Sequence, residues 1–400
     1  MKIFYGWVIV AVGIVVGCIG MGGLMSFGVF LQPISDSLGW SRAGIASGST
    51  VAFLGMGAGG FLWGSLYDRY GARVVVLCGG VLEGAGLVAA SRAQSLPVFL
   101  AIYGCAVGLA VGAVYVPLTA ATSSWFVRHR SLAVSLVSAG LALGTTLIAP
   151  LARWMIVAYD WRFAMQALGL ISWAVILPAA LLLRPAPAEP KRAANVAPQP
   201  IGPTFAQALR TPLFWSLALA NFACCAAHSG PIFHMVAYAA DCGVAPVTAA
   251  TVLGAAGLAA LSGRILCGLL ADRTGAKRTL VGCLMLQATA IALYMVARDL
   301  DTLYAVSMLF GLSYGGAMPL YAILVREHFP ARIMGSVFGV IAAISTVGMA
   351  LGPPVGGWLF DRFGGYGWLY VASSAIGIGA VLIAMTVRPM RVRLPEPSIA

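Results

Sequence analysis

Arg264 stands in the run Leu261, Ser262, Gly263, Arg264, Ile265, Leu266, an apolar stretch with no Asp or Glu within two turns. A guanidinium keeps its charge at any physiological pH, so inside a membrane helix it is costly and turns toward a protein-lined cavity and an anion. The chemistry this offers is recognition of a carboxylate, gripped by the planar fork through two parallel hydrogen bonds. Asn221, Cys225 and His228 recur at i, i+4 and i+7, one face of a helix. At ~1.5 Å per residue from Pro212, Asn221 lies roughly 13 Å in and His228 roughly 24 Å in. Arg264, roughly 12 Å from the Asp272 end of its own helix by the same rise, is level with Asn221. A histidine at that depth is a natural proton carrier; its alternative is a hydrogen-bonded packing residue. His234 lies nearer the outer end of the same helix.

Aromatic hydroxyls add partners for a carboxylate or a substrate hydroxyl. Tyr115 shares a face with Gly108, Gly112 and Thr119, and Tyr314 a stripe with Met318 and Tyr321. Depth selects Tyr115 and Tyr314. The glycines leave room for a ligand or for close helix packing. Leu24 and Met25 are expected to form an apolar wall. Glu83, the other charge inside an apolar stretch, reads as structural or interfacial, with a proton site as the alternative.

These residues need membrane helices to hold them. Hydrophobic residues make up 60% of the 400 and charged residues 9%, against about a quarter in soluble domains. The apolar stretches are long, each near the roughly 20 residues that cross a bilayer, and the ~10-residue alternation of a membrane barrel is absent. The expected fold is an all-α polytopic membrane protein with twelve spans, near 6–31, 43–66, 74–92, 96–121, 130–157, 162–183, 212–238, 247–271, 278–297, 301–326, 333–360 and 366–387. Of the 24 Lys and Arg, 17 fall on the side of the N-terminus, six on the other, and Arg264 is the last. The +12 net charge is therefore a topology signal that places both termini in the cytoplasm, not a nucleic-acid surface. The first apolar segment is too long for a signal peptide and is expected to stay as a span. The eight cysteines, without Cys-x-x-Cys spacing, read as packing thiols. No metal-ligand cluster, nucleophile elbow or phosphate loop stands out, so neither an enzyme nor a cofactor is expected.

The chain uses one unit twice. Gly64, Asp68, Arg69, Gly71 and Arg73 reappear 204 residues later as Gly268, Asp272, Arg273, Gly275 and Lys277, and Gly39 maps onto Gly243. Gly108, Pro117 and Phe126 are echoed by Gly311, Pro319 and Phe329. Two matching six-helix halves are the mark of a transporter with its substrate bound between them. The halves are 1–183 and 211–387. A linker at 184–210, with six prolines and a short helix Thr204 to Leu209, joins them, and 388–400 is a cytoplasmic tail. In the repeated loop the glycine brings two helices close, and the aspartate can accept from a neighbouring helix N-terminus or an arginine. Broken in one state, that contact would latch the halves; a static loop is the plainer alternative. Asp68, Arg69, Arg73, Asp272, Arg273 and Lys277 are the candidates.

The chain resembles the major facilitator superfamily over nearly its whole length, and within it the monocarboxylate transporter and oxalate/formate antiporter branch. The residues that carry this are Tyr5-Gly6-Trp7-Val8, Ser26 to Phe30, Trp125-Phe126 with Arg128 and Arg130, Asp160-Trp161-Arg162, and Gly352 to Asp361. The resemblance implies a helix-eight arginine that binds the substrate carboxylate, and Arg264 occupies that place. Animal monocarboxylate transporters carry an Asp where this chain has Ala260 and a helix-one lysine where it has Met25, so their proton route does not transfer. The oxalate branch adds a lysine in helix eleven, and none lies in 333–360. A dianion would leave one carboxylate without a counter-charge. The expectation is therefore a monomeric, proton-coupled carrier of short monocarboxylates such as lactate or pyruvate in the cell membrane. An oxalate/formate exchanger and a drug or sugar carrier are the alternatives.

Overall fold

The computed structural model describes residues 4–40, 42–186 and 202–387. The middle of the expected linker, 187–201, and the tail, 388–400, lie outside the described residues.

The chain is all-α. Its helices are α1 (Gly6–Met25), α2 (Leu31–Leu38), α3 (Arg42–Ala90), α4 (Leu96–Phe99), α5 (Gly108–Trp125), α6 (Arg130–Ala158), α7 (Trp161–Leu181), α8 (Phe205–Leu209), α9 (Pro212–Asp241), α10 (Pro246–Thr274), α11 (Ala276–Leu293), α12 (Leu300–His328), α13 (Met334–Phe363) and α14 (Gly367–Thr386). Ten segments among the described residues are long and apolar enough to cross a bilayer. One, Ser47–Ala90, has 44 residues, about twice the need of a ~30 Å core. Before Gly71 it advances with α5 and the turn ahead of it, Gly55 meeting Gly104 and Gly64 meeting Val116. After Gly71 it runs against them, Gly79 meeting Ala113 and Gly86 meeting Val107. The chain reverses at Gly71, where φ 77° and ψ 172° suit a residue without a Cβ. With α9, whose Asn221, His228 and prolines dilute its hydropathy, the crossings number twelve.

Two boundaries refine the sequence reading. The first apolar span is Gly6–Phe30, within a residue of the reading, but the helical rod does not stop there: the 3-10 turn Ser26–Phe30 leads on into α2, which closes at Gly39 with φ 67°. Nothing in the apolar pattern marks that extension. The linker helix begins at Phe205, with Thr204 as its cap in a reciprocal pair with Gln207. All eight cysteines are free thiols.

The halves meet along two seams, α3 with α13 and α6 with α10. Neither α6 nor α13 has a side-chain N-cap of its own, which leaves amide donors exposed at the positive end of each helix dipole. Each receives an aspartate from the opposite half. Asp68 accepts from the Gly335 amide (2.8 Å), the Ser336 amide (2.7 Å) and the Ser336 hydroxyl (2.5 Å). Asp272 accepts from the Ser131 amide (3.0 Å) and the Leu132 amide (3.2 Å). The basic residues of the repeat do something else. Arg73 donates to the carbonyls of Leu181 and Leu183 at the end of α7, and Lys277 to Met385 at the end of α14. These are staples within one half. Arg69 lies over the Tyr70 ring at 5.3 Å, and Arg273 is exposed in the last turn of α10.

Candidate functional site

Arg264 is placed by backbone packing. Ala256, Ala260 and Gly263 on α10 meet Gly311, Gly315 and Leu312 on α12 at distances where no extra methyl group would fit. This fixes α10 against α12 and turns Arg264 toward the other half. There its Nε donates to Ser138 Oγ on α6 at 3.1 Å, and Nη1 to the Ala260 carbonyl at 3.4 Å. Nη2 makes no hydrogen bond among the described residues, and no carboxylate stands within ion-pair reach of the guanidinium. Ser138 was not singled out from sequence. Its signal is the stripe Ser131, Ser135, Ser138 at i, i+4, i+7 on α6, along which Gly268 of α10 packs.

Tyr115, Tyr314 and His228 lie within electrostatic range of Arg264. His228 is 1% exposed; its ring stacks on Tyr314, with centroids 5.3 Å apart and planes 18° apart. Its Nδ1 meets the Cys224 carbonyl at 2.8 Å. A carbonyl only accepts, so Nδ1 carries the proton and Nε2 keeps its lone pair. Tyr115 packs against Phe338 of α13 at 5.5 Å, so the site is lined from both halves. The hydroxyls of Tyr115 and Tyr314 make no hydrogen bond among the described residues. Cys225 lies near Tyr115 and contacts Asn221 Oδ1 at 3.8 Å, which joins Asn221 to the group.

Other sequence candidates fall elsewhere. Leu24 is buried with Phe27, Tyr103 and Ile148, and Met25 packs on the same cluster. Gly108 and Gly112 press on the backbone of α3, at Ala52 and Gly59, so their smallness serves helix packing. Tyr321 is fully buried and donates to the Ala220 carbonyl at 3.1 Å. His234 pairs with Tyr366 at 3.3 Å. Gly257, two turns from Arg264 on the same face and away from Asp272, has nothing within 4 Å of where a Cβ would stand. The seams are closed at the aspartate end, and Gly257 faces open space on the far side of Arg264.

A charge-bearing fork at the seam between two repeated halves can grip a small anion. The family model described as Major Facilitator Superfamily matches residues 12–342 and 229–400. Monocarboxylate transporter 13 of Bos taurus is 28% identical over 386 residues, covering 95% of this chain and 87% of its own. Monocarboxylate transporter 11 of Mus musculus is 29% identical over 401 residues, with 95% and 87% covered. The proton:xylose symporter XylE, solved with 6-bromo-6-deoxy-D-glucose, shares the fold at a TM-score of 0.76 and 15% identity, with 96% of each chain covered. Sequence and fold together make this chain a transporter rather than an enzyme: it belongs to the major facilitator superfamily, in the monocarboxylate transporter-like branch.

Proposed function

We propose that this chain carries short monocarboxylates, such as lactate or pyruvate, across the cell membrane by alternating access in symport with a proton. The observation that carries the reading is Arg264, a guanidinium between the halves with a free Nη2 and, among the described residues, no carboxylate to neutralise it. A substrate carboxylate supplies that charge, and the hydroxyls of Tyr115 and Tyr314 and the Asn221 amide supply its remaining hydrogen bonds. One intramembrane cation matches one negative charge. A dianion would keep a second carboxylate poorly solvated and uncompensated, at a cost of several kcal/mol.

His228 is the proton carrier in this reading. Protonating it beside Arg264 brings two cations together, which is unfavourable until an anion enters. Anion and proton therefore favour each other's binding, and the loaded carrier has the same net charge as the empty one. An anion alone would move against an inside-negative potential at about 2.3 kcal/mol per charge per 100 mV. Residues 1–183 and 211–387 rock as units, Asp68 and Asp272 releasing α13 and α6 when the closed end opens, with 184–210 as the tether. The charge asymmetry puts that closed end and both termini in the cytoplasm, and one copy holds a whole site.

The test is uptake of labelled lactate, pyruvate, acetate and propionate into proteoliposomes, with and without an inward proton gradient. Gradient-driven accumulation of one or more is expected. Faster exchange of oxalate than uptake of any monocarboxylate would make the chain an anion exchanger. Transport of a sugar or drug with no acid uptake would overturn the reading.

A further inference from the structure

Glu83 lies in the third crossing, in the half of the molecule opposite Arg264, and has no part in the site above. It is 0% exposed. Oε1 accepts from the Ser172 hydroxyl of α7 at 3.4 Å, and Oε2 is buried without a hydrogen-bond partner. Toward α1 the carboxyl faces two glycines. A Cβ on Gly20 would stand 3.2 Å from Oε2, and one on Gly23 3.1 Å from Oε1. The acid therefore lies directly on bare backbone. Tyr103, from the fourth crossing, is the titratable group that faces it, and the Tyr103 hydroxyl is turned to the carbonyls of Gly23 (3.4 Å) and Leu24 (3.2 Å). α7 contributes Ser172, α1 only glycine, and no Lys, Arg or His among the described residues acts on the carboxyl.

An ionised carboxylate with one long hydrogen bond and no counter-charge is among the most expensive groups to bury. Because α1 presents only the backbone of Gly20 and Gly23 to the carboxyl, a shift of α1 would open Oε2 to water. We propose that Glu83 is a proton-binding site, occupied in the state described here and emptied when α1 shifts away from α3 and α7. The O–H bond then breaks, the proton passes to water and the carboxylate is left hydrated. The site is separate from His228. It rests on the alternating-access reading only for what moves α1.

Infrared spectroscopy of the reconstituted full chain, titrated between about pH 5 and 9 without any substrate, reads the proton itself. The expected result is a protonated-carboxyl C=O band that is present in wild type and in His228→Ala and lost in Glu83→Gln. Ser172→Ala, which removes the donor to Oε1, should hold the band to higher pH, and it carries the test if Glu83→Gln fails to assemble. Superimposable wild-type and Glu83→Gln spectra, or no shift in Ser172→Ala, would overturn the proposal. The band does not depend on which solute is carried, so a failed carboxylate uptake assay and a missing band are distinct failures.

Discussion

The two seams between the halves are built from one repeated unit, yet one is packed shut and the other holds a charge. The offset of 204 residues relates them position for position at the closed end. Asp68 caps residues 335 and 336, and Asp272 caps residues 131 and 132. One turn further, Gly64 lies on Gly335 and Gly268 lies on Ser131 and Ser135. A turn beyond that the symmetry breaks. Gly60 of α3 touches Gly339 backbone to backbone, whereas its counterpart on α10 is Arg264, reaching Ser138 across the seam. The first seam spends the position on close packing and the second on recognition. A duplicated scaffold thus supplies two equivalent clamps, and a substitution at one level of one copy supplies a candidate site.

The strongest way to break this comparison is to make the second seam like the first. Arg264→Ala should abolish carboxylate uptake while the protein still folds. Arg264→Lys should do nearly as much, because an ammonium keeps the charge without the fork. Losing a desolvated charge-assisted contact costs about 2–5 kcal/mol, roughly 30-fold to several thousand-fold in affinity. Substrate binding and uptake by the purified variants measure this. Near-normal lactate uptake in Arg264→Ala would end the assignment.

The closed ends should respond unequally. Asp68 receives three hydrogen bonds and Asp272 two, because Ser336 offers a hydroxyl where the counterpart is Leu132. Hydrogen bonds to a charged acceptor contribute about 1.5–3 kcal/mol each when removed. Asp68→Ala should therefore raise amide exchange at the start of α13 by roughly ten- to a hundred-fold. Asp272→Ala should do less at the start of α6. Hydrogen–deuterium exchange resolved to those two turns decides it. Equal effects would mean that the Ser336 hydroxyl adds nothing and that the seams differ only at the level of Arg264.

Much of this was legible in the amino-acid order because it is carried by types and spacing. The repeat, the charge asymmetry and the lone Arg264 need no coordinates, and the Asp68 loop could be expected to hold a helix N-terminus. The sequence could not say which members of the repeat face across the seam. Arg73 and Lys277 look like latch partners in one dimension and turn out to staple α7 and α14 within their own halves. Tyr321 shares a stripe with Tyr314, but two turns further along that stripe α9 closes over it and Ala220 takes its hydroxyl. Ser138 escaped notice because a serine in a membrane helix usually bonds its own backbone, and only the approach of α10 gives it another partner. The surroundings of Glu83 are set by Gly20 and Gly23 of α1, which no local pattern around residue 83 reveals.

A smaller effect is expected at His228, which separates charge balance from carboxylate grip. If a proton enters with the anion, uptake by wild type should rise as external pH falls from about 8 to about 6. His228→Ala should flatten that rise and leave exchange of bound acid partly intact, since Arg264 and the two tyrosines remain. Uptake against external pH, with exchange measured in parallel, reads both. A full pH response in the variant would return His228 to packing against Tyr314.

The smallest expected effect tests whether Ser138 is part of the broken symmetry or a bystander. Its hydroxyl accepts from Arg264 Nε at 3.1 Å and so fixes the direction of the fork. Ser138→Ala leaves the charge in place, and a water molecule can take over the lost bond. The cost should be about 1 kcal/mol, roughly five-fold in substrate affinity, with little change in turnover. The counterpart on the first seam is Ala342, close to Gly60 where no side chain needs orienting. Ala342→Ser places the same hydroxyl at the equivalent position, where it can bond only its own helix, and should leave affinity unchanged. Equal losses in the two variants would mean that both act through packing of the seams, and that Arg264 finds its direction without Ser138.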